Sequence, residues 1–212
     1  MSYYFIFFTI MNAIEIWNKF LADKQQMSDE DELVFVRDGS DEWILNYTQE
    51  FSLGENAELL LIKSRSFFVV LDYILCSEEP FFIQSEKALL ERKDTNLILK
   101  YARKFGFVQE LHEFMAETAS DDVLRAYFTE EQLSSAGEIK LIERHDEKLF
   151  QAYVEEHVLN EMSEHYLIKM KNYDFFKIYV SEHGRIAQSS LNLLANSHDE
   201  KLLDIFREFC LC

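Results

Sequence analysis

The sequence predicts an all-α fold, an α-solenoid of about seven helical hairpins of about 26 residues each. Three observations predict it. The stretch from Glu138 to Ser163 aligns on the stretch from Glu164 to Ser189: Glu138 over Glu164, Leu141-Ile142 over Leu167-Ile168, Tyr153 over Tyr179 and His157 over His183. The same columns recur in units starting near Glu32, Glu58, Glu86, His112, Glu138, Glu164 and Ser190. Only 5 Gly and 1 Pro punctuate the chain, which is too few for many β-turns. The expected organisation is a capping segment over residues 1–31 and helical repeats over 32–212.

Taken in order, the chain opens on an apolar, aromatic run, MSYYFIFFTIMNAIEIW. It has no basic region before it, and Glu15 interrupts it before it could span a bilayer, so neither a signal peptide nor a membrane helix is expected. Met11 is an alternative start. Residues Ile6–Asp31 read as a degenerate first unit, with Trp17 and Leu21 in the apolar columns. The stretch Leu33–Tyr47 carries two readings. Val, Phe, Trp and Ile around Asp38-Gly39-Ser40 fit a β-hairpin, which would give the fold a small N-terminal β cap and start the solenoid near Ala57. The same residues also fill every column of the repeat, which favours helices.

Within each unit an apolar pair follows the start by three and four residues, from Phe35-Val36 to Leu193-Leu194. A helix-capping type comes next: Ser40, Ser66, Asp94, Ser120, Asp146, Asn172 and, after one inserted residue, Asp199. Ser, Asp and Asn recur there because their side chains accept from the free N–H groups of a new helix. A second apolar pair and an aromatic close the unit: Tyr47, Tyr73, Tyr101, Tyr127, Tyr153, Tyr179 and Phe206. Those positions share one helix face. Each unit is therefore a short helix, a capped turn and a second short helix, whose stripe is buried by stacking on its neighbours. The tyrosine column is expected in the core, each hydroxyl reaching a nearby acceptor.

The pattern E-x-x-L-I-x-R-x-D-x-x-L-x-x-x-Y at Glu138–Tyr153 resembles the short helical-hairpin repeats of bacterial α-solenoid proteins. Some acidic proteins of that kind are immunity partners of secreted nuclease toxins. The resemblance implies a binding protein that neutralises a basic toxin by occluding its active site. The alternative is a helical-repeat scaffold or adaptor with no inhibitory role.

Composition points the same way. The net charge is −18, from 39 acids against 21 bases, which disfavours nucleic acid as a direct ligand and favours a basic protein partner. Between Asp23 and Glu58 eleven acids face only Lys24 and Arg37. Asp29, Glu30, Asp31, Asp38, Asp41 and Glu42 are the candidate partner-binding residues there. Glu50, Glu130, Glu156 and Glu182 add a column eighteen residues after their unit starts, at helix C-termini where negative charge opposes the dipole. Cys76, Cys210 and Cys212 form no paired framework, so reduced thiols and a cytoplasmic location are expected. His157, Glu161 and His165 have ligand-like spacing, but a connection separates the two histidines, so no metal is expected. No phosphate loop or nucleophile motif appears, and the sequence predicts no cofactor and no enzyme activity.

Overall fold

A computed structural model describes the backbone of residues 3–210 and the side chains of residues 12–210. Among these residues there are helices and turns and no strand. The aromatic side chains of Tyr3–Ile10 lie outside the described residues, as does Cys212. The chain divides into two compact units, Met1–Phe105 and Gly106–Cys212.

The first unit contains α1 (Tyr3–Asp23) and three hairpins: α2 (Asp29–Asp38) with α3 (Asp41–Thr48), α4 (Glu55–Ser64) with α5 (Phe67–Cys76), and α6 (Ile83–Glu91) with α7 (Thr95–Phe105). Leu33–Tyr47 is therefore helical on both sides of its turn, and the β-hairpin reading is set aside. Sequence propensity there is overridden by burial, since Phe35, Val36, Ile44 and Tyr47 all point into the core. The N-terminal segment also differs from expectation. Ile6–Asp23 belongs to one continuous helix rather than a hairpin; the column position of the cap, eight residues after Ile6, is Ile14. Phe20, not Leu21, takes the inward position: Phe20 is buried and Leu21 is exposed. Trp17 stacks on Phe35 at 5.7 Å and Phe20 meets Tyr47 edge-on at 5.2 Å, so α1 covers the first hairpin.

The second unit contains a 3-10 turn (Gln109–Leu111) and four hairpins: α8 (His112–Thr118) with α9 (Asp121–Phe128), α10 (Ser135–Glu143) with α11 (Glu147–Glu156), α12 (Glu161–Met170) with α13 (Tyr173–His183), and α14 (Gln188–Asn196) with α15 (Glu200–Cys210). Inside each unit, first helices pack on first helices and second on second: α2 on α4 on α6, and α9 on α11 on α13 on α15, for example.

The turns carry the predicted caps. Ser40, Ser120, Asp146, Asn172 and Asp199 accept from the backbone N–H three residues on, and Asp94 accepts from Asn96 and Leu97. Ser66 sits at the cap position too, but its hydroxyl donates to Asp41. Two turn geometries occur. Lys93, His145, Lys171 and His198 adopt left-handed backbone just before the Asp or Asn caps. Gly39 and Ala119 are extended before Ser caps.

The predicted apolar pairs form the core. Leu61-Ile62, Val69-Val70, Leu141-Ile142, Leu149-Phe150 and Phe175-Phe176 are all buried. So are the tyrosines Tyr47, Tyr73, Tyr101, Tyr127, Tyr153 and Tyr179.

Candidate functional site

The first residue of most repeats is a buried acid: Glu32, Glu58, Glu86, Glu138 and Glu164. Each lies three and four residues before its apolar pair, so it shares their inward face. A buried carboxylate without partners costs several kcal/mol. Here each one is satisfied by the tyrosine fifteen residues later. Tyr47, Tyr101, Tyr153 and Tyr179 donate to Glu32, Glu86, Glu138 and Glu164 at 2.6–2.7 Å, and Tyr73 donates to Glu58 at 3.0 Å.

The second carboxylate oxygen reaches the next hairpin. Glu32 accepts from the Gly54 N–H at 2.7 Å, Glu58 from Phe82 at 2.9 Å, Glu138 from Asn160 at 2.9 Å and Glu164 from Ala187 at 2.9 Å. Each of those four residues is the N-cap of a following first helix. The tyrosine hydroxyl in turn accepts from the residue just before the N-cap of its own hairpin: Met27 to Tyr47, Leu53 to Tyr73, Phe81 to Tyr101 and Leu133 to Tyr153. The linker amides are thereby paired rather than left as orphans in the interior. In these four repeats one acid and one tyrosine position the entry of the next hairpin.

The fourth repeat replaces the acid with His112. Its Nδ1 accepts from the Ser134 N–H at 2.8 Å, and its Nε2 lies 3.1 Å from the Tyr127 hydroxyl. Acceptance at Nδ1 places the single proton of the neutral ring on Nε2, which then donates to the Tyr127 oxygen. Gly137 of α10 leaves room beside this ring, since a Cβ there would stand 3.0 Å from the His112 Cβ. The seventh repeat loses both partners together, with Ser190 and Phe206 in their places. The Ser190 hydroxyl donates instead to Glu164 at 2.5 Å.

A second set of polar columns closes helix C-termini. Arg65 donates to the carbonyls of Val36 and Gly39, Arg92 to those of Ile62 and Arg65, and Arg144 to those of Ala116 and Ala119. These carbonyls end the first helix of the preceding hairpin, where helix geometry leaves acceptors unpaired. Arg65 and Arg144 also pair with Asp41 and Asp121 at 3.2 and 2.7 Å. On the other helix layer, Lys104 donates to Ile74, Leu75 and Ser77 carbonyls, and the Nε2 atoms of His157 and His183 meet the carbonyls of Phe128 and His157. His157 thus has a structural partner, while Glu161 and His165 lie together on α12 around Ser189.

The predicted partner-binding acids separate under this geometry. Asp29, Glu30 and Asp31 occupy the first turn of α2, where Ser28 caps the Asp31 N–H and the helix dipole favours acid. Asp38 is held by the Arg37 guanidinium at 2.7 Å. Asp41 is part of the link to the next hairpin, so it is not purely a surface charge. Glu42 is exposed at the start of α3, and Glu50 is exposed just beyond its end. Glu130, Glu156 and Glu182 are exposed at equivalent ends of α9, α11 and α13, three consecutive second helices of one unit.

The sequence marked the leading acids and the arginine of Glu138–Tyr153 as repeat positions but assigned them no role. The signal was present: an acid in phase with an apolar pair and fifteen residues before an invariant-looking column of tyrosine. Compared with family models, curated proteins and solved structures, the chain matches none.

Two pH responses follow. Burial, with the adjoining carboxylate, holds Tyr47, Tyr73, Tyr101, Tyr153 and Tyr179 far above the ordinary tyrosine value of 10.0. Their folded values are raised, so their contribution is complete below 10.0 and is lost as pH climbs toward the folded values. One unit above that value, each costs up to about 1.4 kcal/mol. Five such groups rival the whole stability of a small domain, about 5–15 kcal/mol. Tyrosinate absorbance and loss of helical circular dichroism should therefore rise together in one steep alkaline transition. Gradual tyrosine ionisation with the helices intact would refute the buried lock.

His112 responds with the opposite sign. Burial pushes its ring below the ordinary 6.5, against the pull of the Phe107 backbone, Glu131 and Glu110. Its stability contribution is complete above 6.5 and is lost as pH falls toward the lower folded value. Relative to His112→Gln, the parent chain should lose up to about 1.4 kcal/mol more per pH unit below that point. Equal acid slopes in denaturant titrations of the two proteins would rule out a buried neutral ring.

Proposed function

We propose that the chain is an α-solenoid of seven helical hairpins that binds a basic protein, in its most concrete form an inhibitor that occludes the active site of a nuclease toxin in the cytoplasm. One observation carries the reading: Glu130, Glu156 and Glu182 repeat at the same exposed position on three successive hairpins. Acid there opposes the helix dipole by a few tenths to about 1 kcal/mol each. A ridge of like charge at helical-hairpin spacing suits a cationic surface. The net charge of −18 supplies the long-range attraction. Binding would be steric and electrostatic, with no bond made or broken by this chain. Among the described residues no helix is long and apolar enough to cross a membrane.

The test is the kinetics of association with the basic protein that copurifies with the chain from its own cells. Stopped-flow on-rates should fall by at least about 10-fold between low and high salt. Reversal of Glu130, Glu156 and Glu182 to Lys should lower them by about as much at low salt, with helix content unchanged. On-rates indifferent to salt and to the reversal would remove the electrostatic reading. If the partner is a nuclease, an equimolar amount of this chain should abolish cleavage.

A further inference from the structure

The outer faces of the second helices differ between the two units. In the first unit, the positions thirteen residues after Glu32, Glu58 and Glu86 are Leu45, Leu71 and Leu99, half-buried on α3, α5 and α7. In the second unit, the equivalent positions after His112, Glu138 and Glu164 are Arg125, Gln151 and Lys177. A leucine row thus crosses three adjacent helices in one unit, and polar side chains replace it in the other. On α5 the row is widened by Phe68, 76% exposed, and Leu75, 55% exposed. Phe68, Leu71 and Leu75 follow the i, i+3, i+7 spacing of one helix face. They are outside the core, which on α5 takes Val69, Val70, Tyr73 and Ile74 instead.

The edges of this strip carry opposite charge. On the α3 side stand Glu42 and Glu50, and on the α7 side Lys100 and Arg103, all exposed. Asp72, half-buried between Phe68 and Leu75 and 3.7 Å from the Cys76 thiol, is the one acid on the middle helix; apart from it, the order of acid, apolar and base across the three helices is its own complement. A two-fold axis running along α5 lays Phe68, Leu71 and Leu75 against the same residues of a second copy. It also sets Leu45 opposite Leu99, and the acidic edge opposite the basic one. A uniformly basic partner would meet like charge on the α7 edge. We infer that this strip is the interface of a symmetric dimer of the chain, an isologous contact in which one patch meets itself.

The area sets the strength. Three helices about 10 Å apart, each presenting about 15 Å of length, offer roughly 400–500 Å² per copy. Stable dimers bury nearer about 800 Å² per partner. The contact is therefore a weak, reversible one. Two chains of charge −18 repel at long range. That repulsion is screened beyond about 8 Å at about 0.15 M salt, whereas the strip contacts lie within that distance. Association should tighten as salt rises from very low to physiological levels. This sign is opposite to the salt response of binding to a basic protein, and the inference stands apart from that binding.

The experiment is sedimentation velocity on the full chain, from low micromolar to near-millimolar concentration, at low and physiological salt. A monomer–dimer equilibrium is expected, tighter at physiological salt. Phe68→Glu should weaken it by at least about 30-fold, the loss of one interfacial hot spot. Lys177→Glu, at the equivalent face of the second unit, should leave it unchanged. Because the Phe68 side chain is exposed, helix content should survive the substitution, and Leu75→Glu provides a second variant of the same face. A monomer at every concentration overturns the inference. So does a dimer indifferent to both substitutions, which would place the interface elsewhere.

Discussion

The structure depends on one constraint: a carboxylate placed in the apolar stripe of a helix must find donors where no water reaches. Glu138 finds the Tyr153 hydroxyl inside its own hairpin and the Asn160 N–H at the start of the next. The tyrosine hydroxyl closes the arrangement by accepting from the Leu133 N–H. Bonds to an ionised acceptor are stronger than neutral ones, and their loss in the interior is costly. The same group therefore fixes the angle within a hairpin and the approach of its successor. Local geometry and inter-hairpin geometry are not separately adjustable, which is a source of nearest-neighbour cooperativity.

Departures from the pattern obey the same constraint. His112 keeps an acceptor for Ser134 and a donor for Tyr127, so the linker amide and the hydroxyl both stay paired. Where Ser190 replaces the acid, Phe206 replaces the tyrosine, and no hydroxyl is stranded. The arginine columns act on the outside of the same joint. Arg144 joins the last carbonyls of α8 to Asp121 at the head of α9, so the turn of one hairpin is held from the next. Much of the chain's polar chemistry thus serves architecture. The functional proposals rest on the exposed glutamates and on the leucine strip.

Much of this was legible in the sequence because repetition averages out local ambiguity. The caps Ser40, Ser120, Asp146, Asn172 and Asp199 stand where column alignment put them, and the tyrosine column is in the core. Leu33–Tyr47 shows the value of the column: its residues favour strands singly, yet they fold as helices because their neighbours supply matching grooves. Ile6–Asp31 shows the limit. It lies outside the clear period, and its two inward aromatic rings, Trp17 and Phe20, follow the phase of one long helix rather than that of a hairpin. The role of Glu32 and its equivalents was less visible, because an acid in a highly acidic chain reads as a surface group. The tie of Asp41 to Arg65 was not legible either, because the two residues are 24 apart in sequence and become adjacent only through stacking.

The most direct test is a double-mutant cycle on one lock. Both tryptophans, Trp17 and Trp43, lie beside the first one and stack at 5.8 Å, so their fluorescence reports its unfolding. Glu32→Gln, Tyr47→Phe and the double variant should be compared in denaturant. If the carboxylate and the hydroxyl act as one unit, their coupling energy should be about 1.5–3 kcal/mol, the range for hydrogen bonds to charged groups. Effects that simply add, to within about 0.5 kcal/mol, would contradict it.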